Sequence, residues 1–148
     1  MRNGLSLILA LMVLASANAA EIRAQKVLAE IKAAHPEITG LELAASRSEQ
    51  EGCKTIAATE VKEIGQKCDK DEFTAMKTNQ AFVEKEKNEF DATLPIHDAA
   101  GKIIGTVGMD FKTGPGQTKE TVTRQAKQIA AELEKRITAK EQLFEVVK

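Results

Sequence analysis

"FDATLPIHDAAGKIIGTVGMDF", residues 90–111, is the stretch whose reading decides the fold. Apolar residues alternate along both arms, as in strands with one buried face, and Asp98-Ala99-Ala100-Gly101 reads as the turn between them. Two registers compete. A tight turn with Gly101 as a bulge sets Asp98 opposite Lys102, Ile96 opposite Ile104 and Phe90 opposite Asp110. A four-residue loop sets His97 opposite Lys102, and then Ile96 faces Ile103, Ala92 faces Val107 and Phe90 faces Met109. A slip of one residue turns every side chain of a strand to the other face, and only the second register keeps the apolar face together. The four-residue loop is therefore expected, with Gly101 supplying the left-handed backbone at its last position.

In that register the other face carries Asp91, Thr93, Pro95 and His97 against Ile104, Thr106 and Gly108, with Thr93 and Thr106 paired at its middle. A solvated sheet face is the ordinary alternative. Pro95, Ile104 and two glycines suit water poorly, however, and Gly108 leaves room for a backbone, a helix or a ligand. Whether the first helix covers this face is open at this point.

Working outward, residues 21–34 are rich in helix formers, with Ile22, Val27, Leu28, Ile31 and Ala34 mostly on one side and Pro36 closing the helix. Residues 37–46 and 53–59 read as strands. Asp69 stands three residues before Glu72, a capping-box spacing that opens a short helix over 70–78, expected to bury Phe73 and Met76. Two strands, "AFVEKE" and "FDATLPIH", follow around a turn near Lys87-Asn88. After the Gly/Pro breaker "KTGPGQ", Thr118 caps a helix over about 119–137 whose stripe is Val122, Ala126, Ile129, Ala130, Leu133 and Ile137. The tail "TAKEQLFEVVK" docks through Leu143 and Phe144. The predicted order is α-β-β-α-β-β-β-α, one α+β domain around an antiparallel sheet.

The N-terminus sets the compartment. Arg2, the apolar run Leu5–Ala15 and the small residues of Ala17-Asn18-Ala19 form a secretory signal peptide over 1–19, leaving residues 20–148 as a single domain in the periplasm or outside the cell. The apolar run is too short to span a bilayer comfortably, so no stable membrane insertion is expected after cleavage. Loss of Arg2 leaves 20 basic against 22 acidic residues with interspersed signs, which points away from nucleic acid. In an exported chain the pair Cys53 and Cys68 reads first as a disulfide, ahead of a redox or metal role, since no Cys-x-x-Cys spacing occurs.

The stretch from Thr55 to Phe111 resembles the extracytoplasmic PAS-like sensor domains called Cache or PDC domains. The residues that carry the resemblance are "EIGQK" after the second strand, the short helix ahead of the hairpin, and Pro95, Asp98, Gly101, Ile104 and Gly105 in the places of a P-x-x-D-x-x-G-x-x-I/V-G hairpin. The first helix takes the place of the family's long leading helix, so the resemblance covers roughly residues 21–112. Asn79 stands where relatives commonly have glycine after the short helix, and asparagine tolerates the same backbone. Most relatives sit between two transmembrane helices. This chain is read instead as a free-standing exported copy without its own output.

The resemblance implies a small-molecule ligand held against the sheet, a carboxylate among the commonest. Fixed donors in a partly dry site would hold it, and the candidates are Arg47, Lys54, Thr93, His97 and Thr106. A protein partner, exported or membrane-bound, is the alternative, motivated by the last helix and the "LFEVV" tail. His35 and His97 are too few for a metal cluster, Ser46 and Ser48 lack the context of an activated nucleophile, and no spacing argues for haem. No enzyme activity, metal or cofactor is expected.

Overall fold

A computed structural model describes residues 20–148; the expected signal peptide lies outside the described residues. Strand β1 (Glu21–Ile22) leads into helix α1 (Arg23–Ala34), strands β2 (Ile38–Ser46) and β3 (Cys53–Ala58), a single 3-10 turn at Val61–Glu63, and helix α2 (Lys70–Thr78). Strands β4 (Phe82–Glu86), β5 (Glu89–His97) and β6 (Ile103–Lys112) follow, then α3 (Lys119–Arg136), α4 (Lys140–Leu143) and β7 (Val146–Val147). The main sheet is antiparallel with strand order β3-β2-β6-β5-β4, and β1 pairs with β7 in a separate ribbon.

One face of the sheet holds the hydrophobic core. Ala24, Val27, Leu28 and Ile31 of α1 and the whole expected stripe of α3 pack on Leu41, Leu43, Phe90, Ala92, Leu94, Ile96, Val107, Met109 and Phe111. Each large aliphatic side chain sealed there contributes roughly 1.5–3 kcal/mol. Thr118 caps α3 as its position predicts, its hydroxyl accepting the Thr121 N–H at 3.2 Å. The tail docks as expected, with Leu143 fully buried and Phe144 packed against the core. The sequence reading missed the β1–β7 ribbon, because two-residue strands exist only where the two ends of the domain meet.

The hairpin departs from its expected register. Phe90 faces Phe111, Ala92 faces Met109, Leu94 faces Val107 and Ile96 faces Gly105, two residues away from the pairing predicted for most of its length. The turn itself is the tight form: the Asp98 N–H donates to the Lys102 carbonyl at 2.9 Å and the Gly101 N–H to the Asp98 carbonyl at 3.0 Å, with Gly101 at φ +82°. The Asp98 carboxylate then accepts the N–H groups of Ala100 and Lys102, each at 2.9 Å. A second irregularity, between the His97–Ile103 and Ile96–Gly105 pairs, leaves Ile104 extra and restores the side-chain alternation. The apolar face is kept together by a tight turn plus a bulge. Consequently the predicted Thr93–Thr106 pair does not form: Thr93 stands opposite Gly108 and Thr106 opposite Pro95.

Helix α2 lies on the opposite face of the sheet, over β5, β6 and β4. Its capping box is complete: Asp69 Oδ1 accepts the Asp71 N–H at 2.9 Å, and Glu72 Oε2 accepts the Asp69 N–H at 2.6 Å. Ala75 is buried and Met76 half-buried, but Phe73 is 54% exposed, contrary to expectation. The helix is short and sits on its Ala75 side, which turns Phe73 outward. A Cys53–Cys68 disulfide ties the start of β3 to the residue before the α2 cap, as the cysteine pattern predicts. The segment it closes is stitched further by Thr55 N–H to Gln66 carbonyl and Gly65 N–H to Thr55 carbonyl bonds, both 2.8 Å.

Candidate functional site

The five candidate ligand residues separate into three places. Arg47 and Lys54, on either side of the β2–β3 turn, meet in one cleft of about 220 Å³. Its polar lining also includes Glu51 and the buried Thr55, while Ile22, Ile56, Ile64 and Phe144 form apolar walls. The Arg47 guanidinium stacks over the Phe144 ring, 4.9 Å from its centroid, a contact that fixes the direction of its donors. Lys54 stands opposite Lys67 in an isolated antiparallel bridge, bringing another cation near. Among the described residues neither Arg47 nor Lys54 makes an ion pair. Local structure explains the convergence: the β2–β3 hairpin carries both cations, and the disulfide-closed segment brings Ile64 and Gly65 across from them.

Thr93 and Thr106 lie elsewhere, on the sheet face beneath α2. Register places three rows of side chains there. The first is Thr55, Ala44, Thr106 and Pro95; the second is Ala58, Glu42, Gly108, Thr93 and Phe82; the third is Gly40, Asp110, Asp91 and Glu84. This face is not covered by the first helix, which packs on the other side. The space at Gly108 is taken by the Glu42 side chain, and that at Gly40 by the Asp110 carboxylate. Burial raises Glu42 to about 7, reinforced by Glu72, Glu63, Asp110 and Asp91. Burial likewise raises Asp91 to about 7, with Asp110 and Asp71 adding to it. Asp110 is raised for the same reasons, burial first and then Glu89.

His97 is used within the fold. Its Nδ1 lies 2.8 Å from Glu134 Oε1 on α3, its Nε2 2.6 Å from Asn79 Oδ1 after α2, and its backbone N–H donates to the same Glu134 oxygen at 2.9 Å. Asn79 adopts the left-handed backbone at the α2 C-cap (φ +54°), the conformation its place in the motif required. His97 therefore ties three elements together through both ring nitrogens. Sequence reasoning did not select Thr55, Glu42 or Asp110. Glu42 alternates with Leu41 and Leu43 and looks like any solvent-facing residue of an amphipathic strand. Only its position over Gly108 distinguishes it, and that is a tertiary fact.

The sheet and its flanking helices superpose on a GAF domain from A. aeolicus with a TM-score of 0.56 at 9% identity, over 77% of this chain and 94% of that one. The fold is GAF-like. The GAF domain of an Acinetobacter phosphoenolpyruvate-protein phosphotransferase gives a TM-score of 0.55 at 10% identity, covering 80% and 84% of the two chains. A type II free methionine-R-sulfoxide reductase from Thermoplasma acidophilum gives 0.50 at 15%, covering 83% and 93%. The sequence matches no protein-family model and no curated protein. At these identities the likeness establishes a PAS/GAF-like fold, the coarser half of the sequence resemblance, and not the Cache assignment. The same fold occurs in transcriptional regulators and in an enzyme, so fold by itself does not decide between binding and catalysis.

Proposed function

We propose that the protein is an exported, Cache-like sensor module that binds a small carboxylate in the Arg47–Lys54 cleft and performs no catalysis. The observation that carries this reading is the meeting of Arg47 and Lys54, neither in an ion pair among the described residues, in one small cleft with apolar walls. A carboxylate needs fixed, charge-assisted donors in a partly dry site, and Arg47 held against Phe144 is such a donor. The disulfide supports export, since such bridges persist in oxidising compartments. Thr93, Thr106 and His97 are left out of this ligand site, because the first two share a face with three carboxylates and the third is occupied by Glu134 and Asn79.

Native mass spectrometry of the mature protein, purified gently from the periplasm and measured again after denaturation, tests the reading. A small acidic mass lost on denaturation, and absent from an Arg47→Gln/Lys54→Gln variant, is the expected result. A bare protein, with no thermal stabilisation by acetate, propionate or butyrate, would overturn it. A second reading, capture of another exported or membrane protein, draws on Val61 (75% exposed), Ile64 and Phe73 rather than on the tail, whose Leu143 is buried. Under that reading a Phe73→Ser variant loses partner capture and keeps ligand binding.

A further inference from the structure

We propose that the cavity between α3 and the open edge of β5 is a separate site for a linear zwitterion. Such a molecule carries a carboxylate and an ammonium group at opposite ends of a short aliphatic chain. β4 pairs with β5 only as far as Phe82 opposite Thr93, so the last residues of β5, from Leu94 to His97, have no strand beside them on that side. α3 runs past this edge, and together they enclose a cavity of about 470 Å³, a volume suited to a small organic ligand. Five of its lining residues belong to α3 and none to α2, which sets it apart from the face beneath α2. It shares no residue with the Arg47–Lys54 cleft.

Two opposite charges on α3 line this cavity. Lys127 and Glu134 are seven residues apart, two helical turns or about 10 Å along the axis. Ion pairs within a helix form at a spacing of three or four residues, so these two do not neutralise each other. Lys127 forms no ion pair among the described residues. Between the two charges lie Ala130 and Ala131, and Leu94 and Pro95 of β5 line the cavity with them. The middle of the cavity is therefore small and aliphatic, and among the described residues no aromatic ring lines it.

The bonds of His97 prepare the anionic end. Its backbone N–H donates to Glu134 Oε1 at 2.9 Å, and its Nδ1 lies 2.8 Å from the same oxygen. Its Nε2 lies 2.6 Å from Asn79 Oδ1, which fixes the ring in turn. Both contacts to Glu134 fall on one oxygen, so the carboxylate is held in direction while Oε2 keeps its capacity to accept from a ligand. The backbone adds another acceptor. The Asp98 N–H turns to the Lys102 carbonyl on the β6 side, and the His97 N–H turns the other way, to Glu134. Alternation along the strand then directs the Pro95 carbonyl to the same open edge, where proline has no N–H to present. An ammonium group brings three donors to such acceptors, and a carboxylate at the far end of the ligand reaches Lys127. A ligand with one charge leaves one end unanswered. An α-amino acid, with both charges on neighbouring carbons, cannot span two helical turns.

Titration calorimetry tests this in the Arg47→Gln/Lys54→Gln protein, where the other cleft no longer attracts carboxylates. The probe is 6-aminohexanoate, and hexylamine, hexanoate and glycine are the controls. The expected result is saturable one-to-one binding of the probe, with affinity at least about tenfold lower for each control. Adding Lys127→Gln or Glu134→Gln should each lower the affinity for the probe at least about tenfold. Ala131→Leu keeps both charges, suits an exposed helix position and fills the space between them, so it should abolish binding. Melting curves of the variants confirm that the fold is retained. Trialanine, whose charged termini are also far apart, separates the two sources of such a ligand: tighter binding than the probe assigns the site to the ends of a short peptide. Absence of saturable binding of both zwitterions overturns the proposal. So does equal binding of hexanoate, hexylamine or glycine, or binding undiminished in Ala131→Leu.

Discussion

Asp91 offers the sharpest quantitative check on the face beneath α2. Its carboxyl is raised from the ordinary 3.8 to about 7, by burial first and by Asp110 second. The folded state thus holds the proton more tightly than the unfolded chain does. The stabilisation is fully present below about pH 4 and is lost as pH rises toward 7 and beyond. Each pH unit between the two values corresponds to about 1.4 kcal/mol, so full conversion would give about 4 kcal/mol. Asp91 is only half-buried and water screens it, which brings the expected effect to roughly 1–2 kcal/mol. Glu42 and Asp110 act in the same direction and share the repulsion, so their effects do not add. His35, raised chiefly by its hydrogen bond to Glu132, also gives up stability as pH rises. The variant separates these contributions. Urea unfolding should show the native protein losing stability between pH 5 and pH 8, and Asp91→Asn losing less and being the more stable of the two at pH 8. An Asp91→Asn protein that is less stable at pH 8, or a native protein whose stability is flat across that window, refutes the reasoning.

Further expectations follow from other parts of the fold. Replacing both cysteines by serine should cost about 3 kcal/mol in urea unfolding under oxidising conditions, the loop-closure value for a bridge spanning 15 residues. Gly105→Ala should cost about 2 kcal/mol or more, because a Cβ there collides with the Ala44 carbonyl, a backbone atom that cannot swing aside. A Gly108→Ala change meets only the flexible Glu42 side chain and should be milder in the same thermal scan. His97→Ala removes a charge-assisted tie to Glu134 and a second tie to Asn79, an expected loss of about 1.5–3 kcal/mol, with faster amide exchange where β5 meets α3.

Much of the fold was legible because it is encoded locally. Asp69 and Glu72 form a capping box within one turn of chain, and α2 begins where that spacing placed it. The α3 stripe repeats at the helical period, so every residue assigned to it is buried. Gly101 and the Asp98 carboxylate build their turn from adjacent residues. The hairpin register failed for a physical reason. Alternation requires that parity be preserved but does not say how, and a four-residue loop or a tight turn with a later bulge serves equally well. The bulge at Ile104 lies near another irregularity, between Leu43 and Ala44 of β2, where β2 and β6 approach so closely that Gly105 has no room for a side chain.

The sequence by itself determined the main helices and strands, their order and the buried stripe of α3, and made a Cys53–Cys68 bridge the first reading, because each depends on residues whose contacts are set by short-range periodicity or by number. Only the tertiary structure decided which candidate residues share a site. Arg47 and Lys54 were brought together by a hairpin and a disulfide-closed segment, His97 was drawn into a knot with Glu134 and Asn79, and Thr93 and Thr106 were parted by a bulge. Glu42, Asp91 and Asp110 come from three different strands, and no pattern within any one strand marks them as neighbours. Charge repulsion and burial act between strands through space, and that distance is set by the sheet.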